Sequence, residues 1–122
     1  MVPAPNDDPH FRVLLVDDDD GVRNMLRLVF SFEESVEEVR EAADGNEAIR
    51  VCDEFDPDVI VLDYWMPGKD GAATATEIRA THPNAKIVAF SGVLEKVPPW
   101  ADQLFIKGQM PDVGQVLELP AR

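Results

Sequence analysis

Polar side chains that could bind ligands or react follow directly after the apolar, β-forming runs of this 122-residue sequence. These residues are Asp17, Asp18, Asp63, Ser91 and Lys107. Carboxylates that are brought close together repel one another, and Mg²⁺, which prefers hard oxygen ligands, relieves that repulsion. A hydroxyl and an ammonium that face the same point can bind an oxyanion such as a phosphoryl group. An aspartate held against a metal, with a lysine opposite, can attack phosphorus and form an aspartyl phosphate.

These residues can meet only if the preceding runs become neighbouring strands. Strand-like and helix-like segments alternate along the sequence, which predicts βαβ units and a parallel sheet with helices on both faces. The five predicted strands cover residues 11–16, 36–42, 58–63, 86–90 and 104–106. Helices are predicted at residues 22–29, 44–54, 72–81 and, more weakly, 111–119. Ligands of open α/β sheets bind beyond the carboxyl ends of the strands, where the polar residues stand.

Composition and charge limit the classes of function. The length suits one domain, and 45% hydrophobic residues supply one core. Acidic residues outnumber basic ones by 24 to 11, and the net charge of -13 argues against binding nucleic acid or an anionic membrane, because phosphates would be repelled. The single cysteine, Cys52, cannot form an internal disulfide. Because the sequence has no long apolar run and no start typical of a signal peptide, we expect a cytoplasmic location.

The polar residues and their flanking sequence resemble the receiver domain of two-component response regulators. The resemblance rests on the acidic cluster after the first strand, the run from Leu62 to Gly71, the Ser91-Gly92 pair and Lys107. Within that run, the pattern Asp-x-x-Met-Pro-x-x-Asp-Gly is highly specific. The resemblance implies a receiver domain over residues 11–119, and the Pro- and Asp-rich residues 1–10 before it are expected to form a flexible arm. It also implies a flavodoxin-like, doubly wound parallel sheet of five strands in the order 2-1-3-4-5.

The resemblance implies a metal site for this chain. Asp18 would bind Mg²⁺ directly, and Asp17 would bind it at least partly through water. Asp63 and the backbone carbonyl of Trp65 would be further ligands. Taken alone, the run from Asp17 to Asp20 is also typical of a solvated loop, and either Asp19 or Asp20 could cap the following helix.

The resemblance also implies a reaction and a partner. Asp63 would accept a phosphoryl group from a histidine kinase or a phosphotransfer protein. Ser91 would donate a hydrogen bond to the incoming group, and Lys107 would pair with its charge. The chain would then be a signalling phosphoacceptor that assists its own phosphorylation and dephosphorylation, rather than an enzyme.

The connection between the fourth and fifth strands departs from the family pattern. Residues 92–102 are too few for a full crossover helix, and Pro98-Pro99 disfavour helix there. We therefore expect this helix to be absent or cut to a turn. Leu104 stands where the family often has an aromatic residue, and Phe105 should point to the opposite face. Gly108 replaces the usual proline, so the surface that signals to downstream partners is expected to be altered.

Two alternatives to a phosphorylated receiver stay open. A receiver-like domain could bind its partners without phosphorylation, and the altered connection favours this interpretation. A phosphohydrolase with an aspartate nucleophile is the weaker alternative, because such enzymes normally have a second acid where this chain has Trp65.

Overall fold

A wholly parallel, five-stranded sheet forms the centre of the computed structural model, which describes residues 10–118. The strands are β1 (Phe11–Val16), β2 (Val36–Ala42), β3 (Val59–Leu62), β4 (Lys86–Ser91) and β5 (Gln103–Ile106). The helices are α1 (Asp20–Ser31), α2 (Gly45–Phe55), α3 (Gly71–Thr81) and α4 (Val113–Val116). The strand order β2-β1-β3-β4-β5 confirms the predicted flavodoxin-like fold. Except for His10, the predicted N-terminal arm lies outside the described residues, as does residue 119.

Aspartate side chains cap the three long helices. Asp19 accepts hydrogen bonds from the first turn of α1, which settles the choice between Asp19 and Asp20. Asp44 accepts a bond from the Glu47 amide at 2.8 Å, and Asp70 accepts one from the Ala73 amide at 2.9 Å. A carboxylate at this position satisfies an otherwise unpaired amide and complements the helix dipole. Each helix therefore begins where the sequence supplies a cap.

The central strands are buried on both faces, as their continuous apolar runs predict. Their side chains alternate between two cores. The core under α2 and α3 includes Leu14, Ile60, Leu62, Ile78 and Ile87. The core under α1 and α4 includes Phe30, Val61, Val88, Phe90 and Val116. Phe105 packs against this second core, which confirms the direction predicted for its side chain.

The crossover from β4 to β5, residues 92–102, contains no helix. This crossover places an aromatic side chain against the core of the domain. Trp100 packs against the core under α2 and α3, and its ring stacks on that of Tyr64, with centroids 6.1 Å apart. The Trp100 carbonyl accepts a hydrogen bond from Arg79 of α3 at 3.2 Å. This confirms the prediction that the helix is missing.

Asp102 fixes the end of this crossover to β4. Its amide donates to the Ile87 carbonyl at 2.7 Å, and its carboxylate accepts from the Ile87 amide at 2.9 Å. The backbone of β4 therefore holds the chain in place directly before β5 begins.

The last helix is shorter than predicted, with four residues in α4. Lys86, which is buried, donates to the carbonyls of Gln115 and Glu118 at 2.8 and 2.7 Å. The Lys86 ammonium thus donates hydrogen bonds to carbonyls at the end of α4 that amides of a further helical turn would otherwise bind.

Over the described residues, no helix has both the length and the apolar character needed to cross a membrane.

Candidate functional site

Three aspartates form a cluster at the carboxyl ends of β1 and β3. Val16 pairs with Leu62 in the parallel ladder, so Asp17 and Asp63 leave neighbouring strands at the same level. Asp17 and Asp63 are buried, with 1% and 3% of their surface exposed, whereas Asp18 is exposed. One carboxylate oxygen from each of the three lies within 4.8 Å of the others. The structure therefore brings together the three carboxylates that the sequence singled out.

Lys107 supplies the positive charge of this cluster. Its Nζ lies 2.7 Å from Asp17 Oδ2 and 3.1 Å from Asp63 Oδ2. The residue follows β5, and its amide donates to the Ser91 carbonyl at the end of β4. The parallel pairing of β5 with β4 thus places Lys107 at the same edge of the sheet as the aspartates. It was one of the predicted site residues.

Burial and the neighbouring negative charge disfavour the ionised form of the Asp63 carboxylate. Burial raises the pKa of Asp63, and the neighbouring Asp17 charge raises it further, against the opposing effect of Lys107. Burial alone would lower the pKa of Lys107, but its contacts with Asp17 and Asp63 outweigh burial and raise it. The ammonium therefore stays charged while the carboxylates retain uncompensated repulsion, which a divalent cation would relieve.

The cluster has the donor set that suits Mg²⁺. Its ligand atoms are carboxylate oxygens, and two of the three side chains are buried. Asp17 Oδ2 is buried and receives no well-aligned hydrogen bond, although the Lys107 ammonium lies close to it. That oxygen therefore retains a lone pair that a metal could use. The residues present fit the ion.

Ser91 lies at the end of β4, with its side chain fully buried. Its Oγ accepts a hydrogen bond from the Val93 amide at 3.1 Å. A hydroxyl can accept and donate at once, so the hydrogen on Ser91 Oγ could still donate to an oxyanion. The serine thus belongs to the same edge of the sheet as the aspartates and the lysine.

The loop after Asp63 is held by close backbone contacts. The Trp65 amide donates to Asp63 Oδ1 at 3.3 Å, whereas the residue as a whole is 73% exposed. At Gly71, an added Cβ would lie 2.5 Å from the Asp63 carbonyl, so α3 can approach this closely only with glycine there. The role expected of the Trp65 carbonyl as a ligand stays a prediction.

Sequence reasoning missed one residue at this site, Arg23. Its guanidinium donates to the Asp17 carbonyl at 2.5 Å and to Glu41 Oε1 at 3.1 Å, and it also pairs with Asp20. The spacing of Arg23 three residues after Asp20 is the only signal in the sequence, and it indicates only a helix-surface pair. The contacts to the loop and to β2 depend on the folded sheet.

Comparisons with known proteins agree with this geometry. The family model of the response regulator receiver domain matches residues 13–108. The chemotaxis protein CheY of Halobacterium salinarum is 38% identical over 82 residues, which cover 67% of this chain and 67% of that protein. A protein-glutamate methylesterase/protein-glutamine glutaminase of Geobacter metallireducens is 33% identical over 109 residues. That match covers 89% of this chain and 30% of the relative, so the chain spans less than a third of it.

A solved structure has the same architecture. The chemotaxis protein CheY4 of Vibrio cholerae superposes with a TM-score of 0.75 at 25% identity, covering 88% of this chain and 99% of that one. The span matched by the family model begins in β1 and includes Asp17, Asp63, Ser91 and Lys107. The chain belongs to the response regulator receiver domain family.

Proposed function

We propose that this domain is a phosphoacceptor that takes a phosphoryl group on Asp63 from a histidine kinase or a phosphotransfer protein. The observation that carries the proposal is the contact of one ammonium with two buried carboxylates. Lys107 Nζ lies within 3.1 Å of both Asp63 and Asp17, and the exposed Asp18 completes the cluster. These groups combine a nucleophile, a metal-binding site and a cation for the transferred charge.

The proposed reaction is a transfer between a phosphohistidine and the Asp63 carboxylate. A new bond forms between a carboxylate oxygen of Asp63 and phosphorus, while the bond from phosphorus to the imidazole nitrogen breaks. The bonding electron pair leaves with the imidazole nitrogen. Asp63 is suited to attack because burial limits the hydration of its carboxylate, while the Trp65 amide and Lys107 orient it.

The other side chains act on the charge that moves during the transfer. Mg²⁺, when bound by Asp17, Asp18 and Asp63, would neutralise charge on the phosphoryl oxygens. Ser91 would donate a hydrogen bond to one of those oxygens, and Lys107 would exchange its contact with Asp63 for one with the phosphoryl group. The bond from the Val93 amide would hold the serine oxygen in place during this step.

A small phosphodonor tests this proposal without a cognate kinase. The protein is incubated with Mg²⁺ and acetyl phosphate, and its intact mass is measured. We expect one phosphoryl adduct, which disappears in Asp63→Asn and persists in Asp58→Asn. Asp58 is a matched control because it lies at the opposite end of β3, where it accepts a bond from the Arg12 amide. An adduct that survives Asp63→Asn would refute the assignment.

A second candidate function is a receiver-like interaction module that does not depend on phosphorylation. It is favoured by the crossover at residues 92–102, which has no helix and leaves apolar side chains exposed. Val93 is 63% exposed, Val97 is 54% exposed, and Ile106 of β5 is 44% exposed. A partner whose affinity is the same for the wild type, the phosphorylated form and Asp63→Ala would support this candidate. Under both candidates the partner is a protein rather than nucleic acid or membrane, and the location is the cytoplasm.

A further inference from the structure

Arg23 makes a three-way contact behind the aspartate cluster. It lies in the first turns of α1, and its side chain is only 13% exposed. One guanidinium nitrogen donates to the backbone carbonyl of Asp17, and the other two pair with Asp20 and with Glu41 of β2. The arginine thus joins the acidic loop after β1 to both its own helix and a neighbouring strand.

We propose that Arg23 is a positioning residue for Mg²⁺ at the Asp17–Asp18–Asp63 cluster, an inference that rests on the proposed function. Arg23 would not contact the ion. It holds the Asp17 carbonyl, and this carbonyl belongs to the peptide unit that joins Asp17 to Asp18. Fixing that peptide plane fixes the directions in which both carboxylates leave the backbone. Such supporting contacts behind metal ligands typically change metal affinity by about ten- to a hundred-fold.

The contacts of Arg23 require a guanidinium rather than any positive charge. Three acceptors on three different elements are reached by the three nitrogens of one planar group. A guanidinium presents its donors in a fixed fork, whereas a lysine ammonium is a single point on a flexible stem. A lysine at this position could keep one or two of the contacts but would leave the Asp17 carbonyl less tightly held.

The positioning role and a purely electrostatic role predict opposite effects. A fixed positive charge close to a cation site opposes binding of a second cation. If Arg23 acted by charge alone, its removal would therefore tighten Mg²⁺ binding. If Arg23 positions the loop, its removal frees the peptide between Asp17 and Asp18, and Mg²⁺ binding weakens despite the loss of a positive charge.

Arg27 provides a matched control for the test. It lies one turn further along α1 and also contacts Glu41, with its Nε 2.6 Å from Glu41 Oε2. Its other hydrogen bond goes to the Val39 carbonyl of β2, at 3.1 Å. Removing Arg27 therefore deletes the same charge from the same helix and disturbs the same glutamate, while its two bonds are both to β2 rather than to the acidic loop.

The experiment measures the affinity for Mg²⁺ alone by calorimetry at constant ionic strength, with thermal unfolding to confirm that each variant folds. We expect Mg²⁺ binding to be about ten- to a hundred-fold weaker in Arg23→Met and about three- to tenfold weaker in Arg23→Lys. Arg27→Met should stay within about twofold of the wild type. Should Arg23→Met fail to fold, Arg23→Lys decides the result.

Three outcomes would overturn the proposal. They are unchanged or tighter binding in Arg23→Met, unchanged binding in Arg23→Lys, and an equal loss in Arg27→Met. Acetyl phosphate labelling separates this result from the proposed function. A wild type that binds Mg²⁺ but takes no phosphoryl group refutes the phosphoacceptor function and leaves the Arg23 result standing. A wild type that does not bind Mg²⁺ refutes both.

Discussion

The ammonium of Lys107 lies 3.1 Å from the Asp63 carboxylate although β4 separates the strands that precede these two residues. The lysine side chain therefore spans the end of an intervening strand to reach the phosphoacceptor candidate. It contacts the same carboxylates that would bind a metal, so Lys107 and Mg²⁺ would compete for one set of negative charges. This competition has a measurable consequence.

Replacing Lys107 should affect metal binding and phosphorylation in opposite directions. We expect Lys107→Met to bind Mg²⁺ roughly three- to tenfold more tightly, because a competing cation is removed. The rate of phosphorylation by acetyl phosphate should fall by about ten- to a hundred-fold, because the phosphoryl group loses a charge-assisted hydrogen bond. Lys69→Met is the control, since Lys69 pairs with Glu77 of α3. Weaker Mg²⁺ binding in Lys107→Met would contradict the competition.

Asp63→Asn should stabilise the metal-free protein at neutral pH. Because the pKa of Asp63 is raised in the folded state, its ionised form disfavours folding once the pH exceeds the pKa of about 4 for an unfolded aspartate. The stability difference between variant and wild type should therefore grow as the pH rises through the raised pKa and shrink toward pH 4. Thermal unfolding in the presence of a chelator, at a series of pH values, measures it. A variant less stable than the wild type at pH 7 would show that the Lys107 contact outweighs burial and repulsion.

Asp18→Ala should remove Mg²⁺ binding and, with it, Mg²⁺-dependent phosphorylation. The change deletes a ligand and also relieves part of the repulsion that favours a cation, so both effects weaken binding, by about a hundred-fold or more. Calorimetry measures this loss, and intrinsic fluorescence gives a second readout because Trp65 lies two residues after Asp63. Trp65→Phe identifies which indole responds. Asp53→Ala, at an exposed aspartate paired with His82, should bind Mg²⁺ normally.

The Asp63 phosphoryl adduct should be long-lived. Hydrolysis needs a water molecule in line with phosphorus, and the residue two positions after Asp63 is Trp65, which is bulky and cannot act as a base. In Trp65→Asn we expect decay about tenfold faster, a change that corresponds to about 1.4 kcal/mol in the barrier. The measurement is loss of adduct mass after the donor is removed. Faster decay in the wild type than in Trp65→Asn would show that the indole does not shield the phosphoryl group.

Amide hydrogen exchange should be slow at the end of the crossover and fast in its first half. The Asp102 amide donates to β4 at 2.7 Å, so it should exchange slowly. Amides at residues 94–97 lie in a segment without helix, and we expect them to exchange at least about tenfold faster than the amides of α3. Resolved exchange rates by NMR test this pattern. Three protected helical turns between β4 and β5 would be incompatible with it.

The strands and the placement of the candidate site residues at one edge of the sheet could be predicted because both depend on local sequence. Continuous apolar runs identify buried strands, and polar residues directly after them must meet at one edge of a parallel sheet. The missing crossover helix follows from chain length and Pro98-Pro99. These predictions required no knowledge of contacts between distant side chains.

Contacts between elements could not be predicted in this way. The stacking of Tyr64 on Trp100 and the bonds from Lys86 to the end of α4 join residues that share no periodic pattern. Arg23 is similar, since the same spacing on a helix would suit a solvated arginine. Such contacts depend on the packing of the sheet, and the length predicted for the last helix was wrong for this reason.

The short crossover also bears on how the chain folds. Residues 92–102 make a connection of 11 residues, whereas residues 63–85, between β3 and β4, make one of 23. Loop-closure entropy rises with the logarithm of length, so joining β5 to β4 costs roughly 0.6 kcal/mol less than joining β4 to β3. Pairing with β4 is also the step that brings Lys107 to Asp63. We therefore expect the cationic side of the pocket to form as soon as β4 is in place, without waiting for a helix to nucleate and dock.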